Sequence, residues 1–191
     1  SKVDFRDPKI WKGKDGLFYC VVGNRPSDGS GQILLYSSED GFQWKFVSIL
    51  AENKNRYGKM WECPDFFKLG DKYVLSFSPQ GIEKKDGKYP NLFQTGYIVG
   101  DYDYSNNKFE HGTFNEFDNG HDFYAVQTFL DDKGRRIAIG WMDMWESDMP
   151  TKKDGWCGAL TLPRELTLSS DNKIMMNPVE ELKTLREECI L

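Results

Sequence analysis

The apolar runs of this chain are all short. Leu17–Gly23 (LFYCVVG), Ile33–Ser38 (ILLYSS), Tyr73–Ser78 (YVLSFS), Thr95–Val99 (TGYIV) and Arg136–Trp141 (RIAIGW) are rich in β-branched and aromatic residues. Each is too short for an ordinary helix and long enough for a strand. Turn signals stand between them at Lys14-Asp15-Gly16, Glu39-Asp40-Gly41, Gly70-Asp71-Lys72, Ser105-Asn106-Asn107, Asp132-Lys133-Gly134 and Ser170-Asp171-Asn172. Asp-Gly and Asn-rich pairs tolerate the positive φ that tight hairpins demand. One helical pattern remains, Val179–Glu188 (VEELKTLREE), at the end of the chain. The pattern predicts an antiparallel all-β protein.

Composition narrows the function classes. The 191 residues carry a net charge of −5 with no basic block, a poor match for nucleic acid or an anionic membrane surface. No apolar run approaches the roughly 18–20 residues of a membrane span, and no charged-then-apolar leader opens the chain. Cys20, Cys63, Cys157 and Cys189 form no C-x-x-C pair and have no histidine spaced to complete a zinc site. They read as reduced thiols, which together with the missing leader predicts a cytoplasmic location. No linker composition divides the chain. Residues 1–178 read as one domain, and 179–191 as the start of a linker. Opening on Ser1 and closing on an amphipathic segment, the chain reads as a central piece of a longer protein.

A faint repeat runs through it. Asp7-Pro8-Lys9-Ile10-Trp11, Pro64-Asp65-Phe66-Phe67, Asp122-Phe123-Tyr124 and Leu162-Pro163-Arg164-Glu165-Leu166 each lead to a hairpin turn. Hairpin repeats of this size suggest propeller blades or a β-solenoid. In a propeller the innermost strands line a central channel, so polar residues near their starts converge. Asp7, Glu62, Asp122 and Arg164 take that place, and four repeats predict about four blades.

The residue types there suit acetal hydrolysis, which needs an acid for the leaving oxygen and a carboxylate for oxocarbenium character. Glu62, between Trp61 and Cys63-Pro64, has the apolar surroundings of an acid. Asp7, beside Arg6, has a cation to keep it ionised. The structural alternatives are a strand-initiating cap for Asp7 and a partly buried ion pair for Glu62. Strand alternation points Asp122 and Tyr124 to the same side, a common sugar-binding pair, with a turn residue beside core aromatics as the alternative. Trp141 and Trp145, in Gly140–Trp145 (GWMDMW), suit stacking on a sugar, or a place in the core. Asp101-x-Asp103-x-Ser105-x-Asn107 begins like a calcium loop but lacks its sixth-position Gly and twelfth-position Glu. It reads as a turn. His111 and His121 are too isolated for a metal cluster, and no metal or cofactor is expected. Lys84-Lys85, Arg135-Arg136 and Lys152-Lys153 read as solvated turns that a sugar phosphate would suit.

Phe5-Arg6-Asp7-Pro8, Trp61-Glu62-Cys63-Pro64-Asp65, Asp122-Phe123-Tyr124-Ala125, Ile139–Trp145 (IGWMDMW) and Gly155–Leu166 (GWCGALTLPREL) resemble, in this order, the motifs of glycoside hydrolase family 32. That family contains invertases, sucrose-6-phosphate hydrolases, inulinases and levanases. The resemblance implies a five-bladed β-propeller followed by a β-sandwich, and a retaining hydrolysis through a covalent fructosyl intermediate. It makes Glu62 the general acid/base and Asp7 the transition-state stabiliser. Arg6, Cys63, Asp122 and Tyr124 would line the fructose pocket, with Trp141 at its edge. The family's attacking Asp stands in a Trp-Met-Asn-Asp-Pro-Asn-Gly motif, and these 191 residues hold no such run.

Two readings follow. In one, the chain is the central part of a hydrolase for sucrose, sucrose 6-phosphate or a short fructan, close to inactive alone. In the other, it is a non-catalytic fructan-binding propeller. The acid at Glu62 favours the first, because a binding module has no use for one. A family 43-type arabinan hydrolase shares the propeller but fits Glu62-Cys63 poorly. A small sugar is the expected partner, with no nucleic acid or membrane, and self-association through an open blade edge would follow from unpaired strands.

Overall fold

The structure, a computed structural model, describes residues 4–52 and 57–187; Cys189 lies outside them. Thirteen strands form three antiparallel sheets among the described residues. The first holds β1 (Phe5–Lys12), β2 (Phe18–Asn24), β3 (Gln32–Ser38) and β4 (Lys45–Glu52) in chain order. The second holds β5 (Met60–Leu69), β6 (Lys72–Gln80), β7 (Gly96–Asp103) and β8 (Lys108–His111), and the short β9 (Asn115–Glu116) also pairs with β7. The third holds β10 (Tyr124–Leu130), β11 (Arg136–Trp141), β12 (Arg164–Leu168) and β13 (Ile174–Pro178). Successive up-and-down sheets of this kind make a partial β-propeller.

Local chemistry accounts for the meanders. All six turn signals fall at joints between consecutive strands, with Gly16, Gly41, Gly70, Gly134, Asn107 and Asn172 at positive φ. Packing accounts for the middle sheet. Phe66, Leu75 and Ile98 face Val21, Ile33 and Leu35 of the first sheet. Their neighbours Phe67, Val74 and Tyr97 face Val126, Ala138 and Leu166 of the third. Strand alternation thus feeds two cores from one sheet, and each large side chain buried there contributes about 1.5–3 kcal/mol. Trp61 anchors the first core. Its ring stacks on Phe77 at 4.0 Å, its Nε1 donates to the Tyr57 carbonyl at 2.6 Å, and Gly31 has no Cβ where the indole passes.

Two expectations change. The four repeats resolve into three sheets, because Leu162–Leu166 runs into β12, the third strand of the third sheet. Its Pro and alternating residues mimic a blade start, but β12 pairs with β11 and β13 instead of opening a sheet. The terminal helical pattern forms a 3₁₀ turn at Glu180–Leu185. Val179 before it is extended and provides no side-chain cap, and the turn itself buries no residue, so no apolar stripe sustains an α-helix. Among the described residues, no helix is long and apolar enough to cross a membrane.

Candidate active site

The first strands of the three sheets carry the same defect at the same place. Between Arg6 and Lys9, Glu62 and Asp65, and Tyr124 and Gln127, each strand advances three residues while its partner advances two. These are β-bulges, and they bend a strand and re-aim its side chains. The residue after the first of each pair adopts a left-handed backbone: Asp7 at φ 64°, Cys63 at φ 49° and Ala125 at φ 53°. A short polar Asp tolerates this. For Cys and Ala it costs on the order of 1–2 kcal/mol, the kind of local strain that clusters at functional sites.

The bulges set the structural equivalence. Arg6, Glu62 and Tyr124 correspond, and so do Asp7, Cys63 and Ala125. The repeated motifs put an Asp in each segment, at Asp7, Asp65 and Asp122, but the bulges and not these Asp residues are in step.

Arg6, Glu62 and Tyr124 meet. The Arg6 Nε and Nη2 both lie 2.7 Å from Glu62 Oε1. The Tyr124 hydroxyl donates to Oε2 at 2.6 Å and the Gln80 amide donates to the same oxygen at 2.9 Å. Glu62 is 9% exposed and Tyr124 1%. Burial, and after it the Glu62 carboxylate, raises the Tyr124 phenol well above its ordinary value, so it remains a donor. The apolar surroundings expected for Glu62 belong to its neighbour: the Trp61 ring turns into the core, and the Glu62 carboxyl faces three donors.

Arg6 does not hold Asp7. Its guanidinium bridges Glu62 and Asp4, donating to Asp4 Oδ1 at 2.8 Å, while Arg25 pairs with the other Asp4 oxygen. Burial works against the Arg6 charge, but hydrogen bonds to Asp4 and Glu62 outweigh it and raise the pKa. The Arg6 hydrogen bond, ahead of the Arg25 and Arg6 charges, holds Asp4 below the usual carboxylate range against the effect of its burial. Asp7 is fixed by β5, the first strand of the second sheet: the Cys63 N–H donates to its Oδ2 at 3.0 Å, and the Cys63 thiol lies 3.7 Å from the same oxygen. Burial first, then the Asp7 and Glu62 charges, pushes that thiol up to about 12. Cys63 is therefore a neutral donor to Asp7.

The other expected residues gather less tightly. Asp122 precedes β10 at φ 52°, so strand alternation does not couple it to Tyr124; its carboxylate lies 3.3 Å from His121 Nδ1. Trp141 pairs with Tyr124 across β10 and β11, which puts the two side chains on one face, and its indole meets Trp145 edge-on at 5.4 Å. Arg164 sits on β12, pairs with Asp118 and lies over the Phe123 ring at 5.4 Å. It does not join the convergence expected of it: β12 is the third strand of its sheet, and its guanidinium is engaged by Asp118.

A second set of contacts went unread in the sequence. Three positions beyond Arg6, Glu62 and Tyr124 stand Lys9, Asp65 and Gln127. Lys9 Nζ donates to the Thr128 carbonyl at 2.7 Å and to Gln127 Oε1 at 3.1 Å, and lies 3.3 Å from Asp65 Oδ2. Asp65, 1% exposed, also accepts from the Thr128 N–H and hydroxyl. The parallel Arg-Asp-Pro-Lys and Glu-Cys-Pro-Asp was a usable signal for Lys9 and Asp65; Gln80 had none. Among the described residues no group of three or more His, Cys, Asp and Glu is arranged to hold a metal ion. In the calcium-like run, Asp103 Oδ1 accepts from the Ser105 N–H and closes its own turn.

The chain is similar to known proteins along nearly its whole length. Residues 1–178 match the family model described as glycosyl hydrolases family 32 N-terminal domain. The chain is 48% identical to a sucrose-6-phosphate hydrolase of Escherichia coli over 186 residues, which is 97% of the chain and 39% of that protein. It is 42% identical to a raffinose invertase of the same organism, again covering 39% of the relative. Among solved structures, a mutant Bombyx mori β-fructofuranosidase of family 32 in complex with sucrose superposes with a TM-score of 0.92 at 48% identity, covering 97% of this chain and 39% of that one. A sucrose-6-phosphate hydrolase from Lactobacillus gasseri gives 0.88 at 31% identity, covering 96% and 38%. The chain thus spans about two fifths of the length of the relatives it matches.

Proposed function

This chain belongs to glycosyl hydrolase family 32, and from that premise we propose that it supplies the acid–base part of a retaining β-fructofuranosidase acting on sucrose or sucrose 6-phosphate. The observation that carries the reading is the pairing of two carboxylates across β1 and β5. Glu62 is gripped by Arg6, Gln80 and Tyr124, and Asp7 is held by the backbone N–H of the residue that follows Glu62.

In this reading the fructosyl ring lies against Asp7, whose free oxygen accepts its hydroxyls. Glu62 protonates the glycosidic oxygen, the C–O bond breaks, and the glucosyl part leaves as an alcohol while an attacking carboxylate bonds to the anomeric carbon. Glu62, now ionised, takes a proton from water as that water displaces the carboxylate and regenerates it. Arg6 and Tyr124 compensate the charge on Glu62 between the two steps. Asp122 and Trp141 complete the sugar contacts. The attacking carboxylate is not among these residues, since the run that carries it in the resemblance is absent from the sequence. Alone, the 191-residue chain binds the sugar without turning it over.

Calorimetric titration of the chain with sucrose tests the pocket. The proposal expects a Kd that Asp7→Ala weakens by at least about tenfold, the worth of a charged hydrogen bond to a hydroxyl. An affinity indifferent to Asp7 would contradict it.

A further inference from the structure

The Lys9 contacts reach Asp7 and Glu62 through the Cys63 backbone. Lys9 stands on the first sheet, yet its ammonium ends on the third, at the Thr128 carbonyl and Gln127 Oε1, and passes Asp65 of the second. Three innermost strands are joined at one point. That point lies one bulge away from Arg6, Glu62 and Tyr124 on all three strands at once. The contact also orients an amide. With its oxygen engaged by Lys9, Gln127 must present its NH₂ elsewhere, and it donates to the Cys63 carbonyl at 3.0 Å. The same Cys63 residue donates its N–H to Asp7. A continuous path therefore runs from the Lys9 ammonium through Gln127 and the left-handed Cys63 backbone to Asp7, with Glu62 bonded directly before Cys63.

We propose that Lys9 is a positioning residue for the pair Asp7 and Glu62: it sets the Cys63 bulge from below, through Gln127 and Asp65, and touches no substrate. The left-handed conformation at Cys63 carries an intrinsic cost and persists only where surrounding contacts over-determine it. Gln127, its amide oriented by Lys9, supplies such a contact at the carbonyl, and Asp7 supplies one at the N–H. The inference rests on the reading of Glu62 as the general acid/base and Asp7 as the transition-state stabiliser.

The test uses the whole chain with ¹³C-labelled Glu side chains, the Glu62 carboxyl signal being assigned by its loss in Glu62→Gln. Lys9→Met is expected to shift that signal and to weaken sucrose binding by about 3- to 10-fold, and Lys9→Arg to restore both. A Lys9→Met protein that melts earlier but keeps the Glu62 signal and the sucrose Kd would reduce Lys9 to a structural staple and overturn the proposal. If Lys9→Met does not fold, Gln127→Leu leaves the Lys9–Asp65 pair in place and must shift the same signal; silence there overturns the proposal equally. Failure of the unmodified chain to bind sucrose counts against the fructosidase reading, while the Glu62 signal still decides the role of Lys9.

Discussion

Arg6 and Glu62 occupy the same bulge position on the first strands of two successive sheets, 56 residues apart, and there the guanidinium Nε donates to Oε1 at 2.7 Å. The repeat of the fold thus brings a cation and a carboxylate together at its centre. Tyr124, at the third such position, donates to the other oxygen of the same carboxylate.

Removing the Tyr124 hydroxyl leaves Glu62 Oε2 to the Gln80 amide. A buried hydrogen bond to a charged group contributes about 1.5–3 kcal/mol. Tyr124→Phe is expected to lose stability of that order in urea unfolding. A loss under about 0.5 kcal/mol, the low end for a neutral bond, would show that the phenol does not hold the carboxylate.

The Asp4–Arg6 bond gives the protein an acid-sensitive element. Asp4 has a lower pKa folded than unfolded, so its contribution is present above the ordinary carboxylate value of about 3.9 and is lost as pH falls through the folded value. The melting temperature of the protein should exceed that of Asp4→Asn at pH 6, and the gap should narrow steadily toward pH 3. A gap independent of pH would mean that Asp4 acts by shape and not by charge.

Cysteine labelling reports the site without any substrate. The Cys63 thiol is pushed up to about 12, and burial pushes Cys20 up to about 11, while Cys157 is exposed. At pH 8 a thiol near 12 is ionised in roughly one molecule in ten thousand, and the thiolate is the reactive form. Iodoacetamide followed by peptide mapping should therefore modify Cys157 well before Cys63. Comparable rates at the two would place Cys63 in a different environment from the one described.

Gly31 has no room for a methyl group, since a Cβ there would meet Trp61 Cδ1 at 2.4 Å, and the indole is itself stacked on Phe77. Gly31→Ala should cost about 1–3 kcal/mol, as overpacked cores do, and should disturb the residue next to Trp61, which is Glu62. Thermal unfolding measures the first effect and sucrose titration the second; an unchanged melting temperature would contradict the packing.

Much of this was legible beforehand, and the reasons differ by element. The hairpins could be read because Asp-Gly and Asn-rich turns state their backbone needs locally, and all six mark real joints. The blade count could not, because Pro163 and the alternation after it look like a blade start, and pairing with β11 is a non-local fact. Glu62 and Asp7 stood out by motif. Their surroundings did not: the direction of Arg6 toward Asp4 and Glu62, and the donors Gln80 and Gln127, depend on three bulges whose left-handed residues are not glycines. Asp65 hid because a carboxylate in Pro-Asp-Phe-Phe looks like a strand cap until Thr128 and Lys9 are seen around it.

The most direct test of the account is release of glucose from sucrose, and of glucose 6-phosphate from sucrose 6-phosphate, by the 191-residue chain beside its Glu62→Gln variant. No turnover is expected from either protein, with sucrose binding retained by the unmodified chain, because Glu62 and Asp7 are present without the attacking carboxylate. Turnover that Glu62→Gln abolishes would contradict it and would mean that a carboxylate within these residues attacks the sugar.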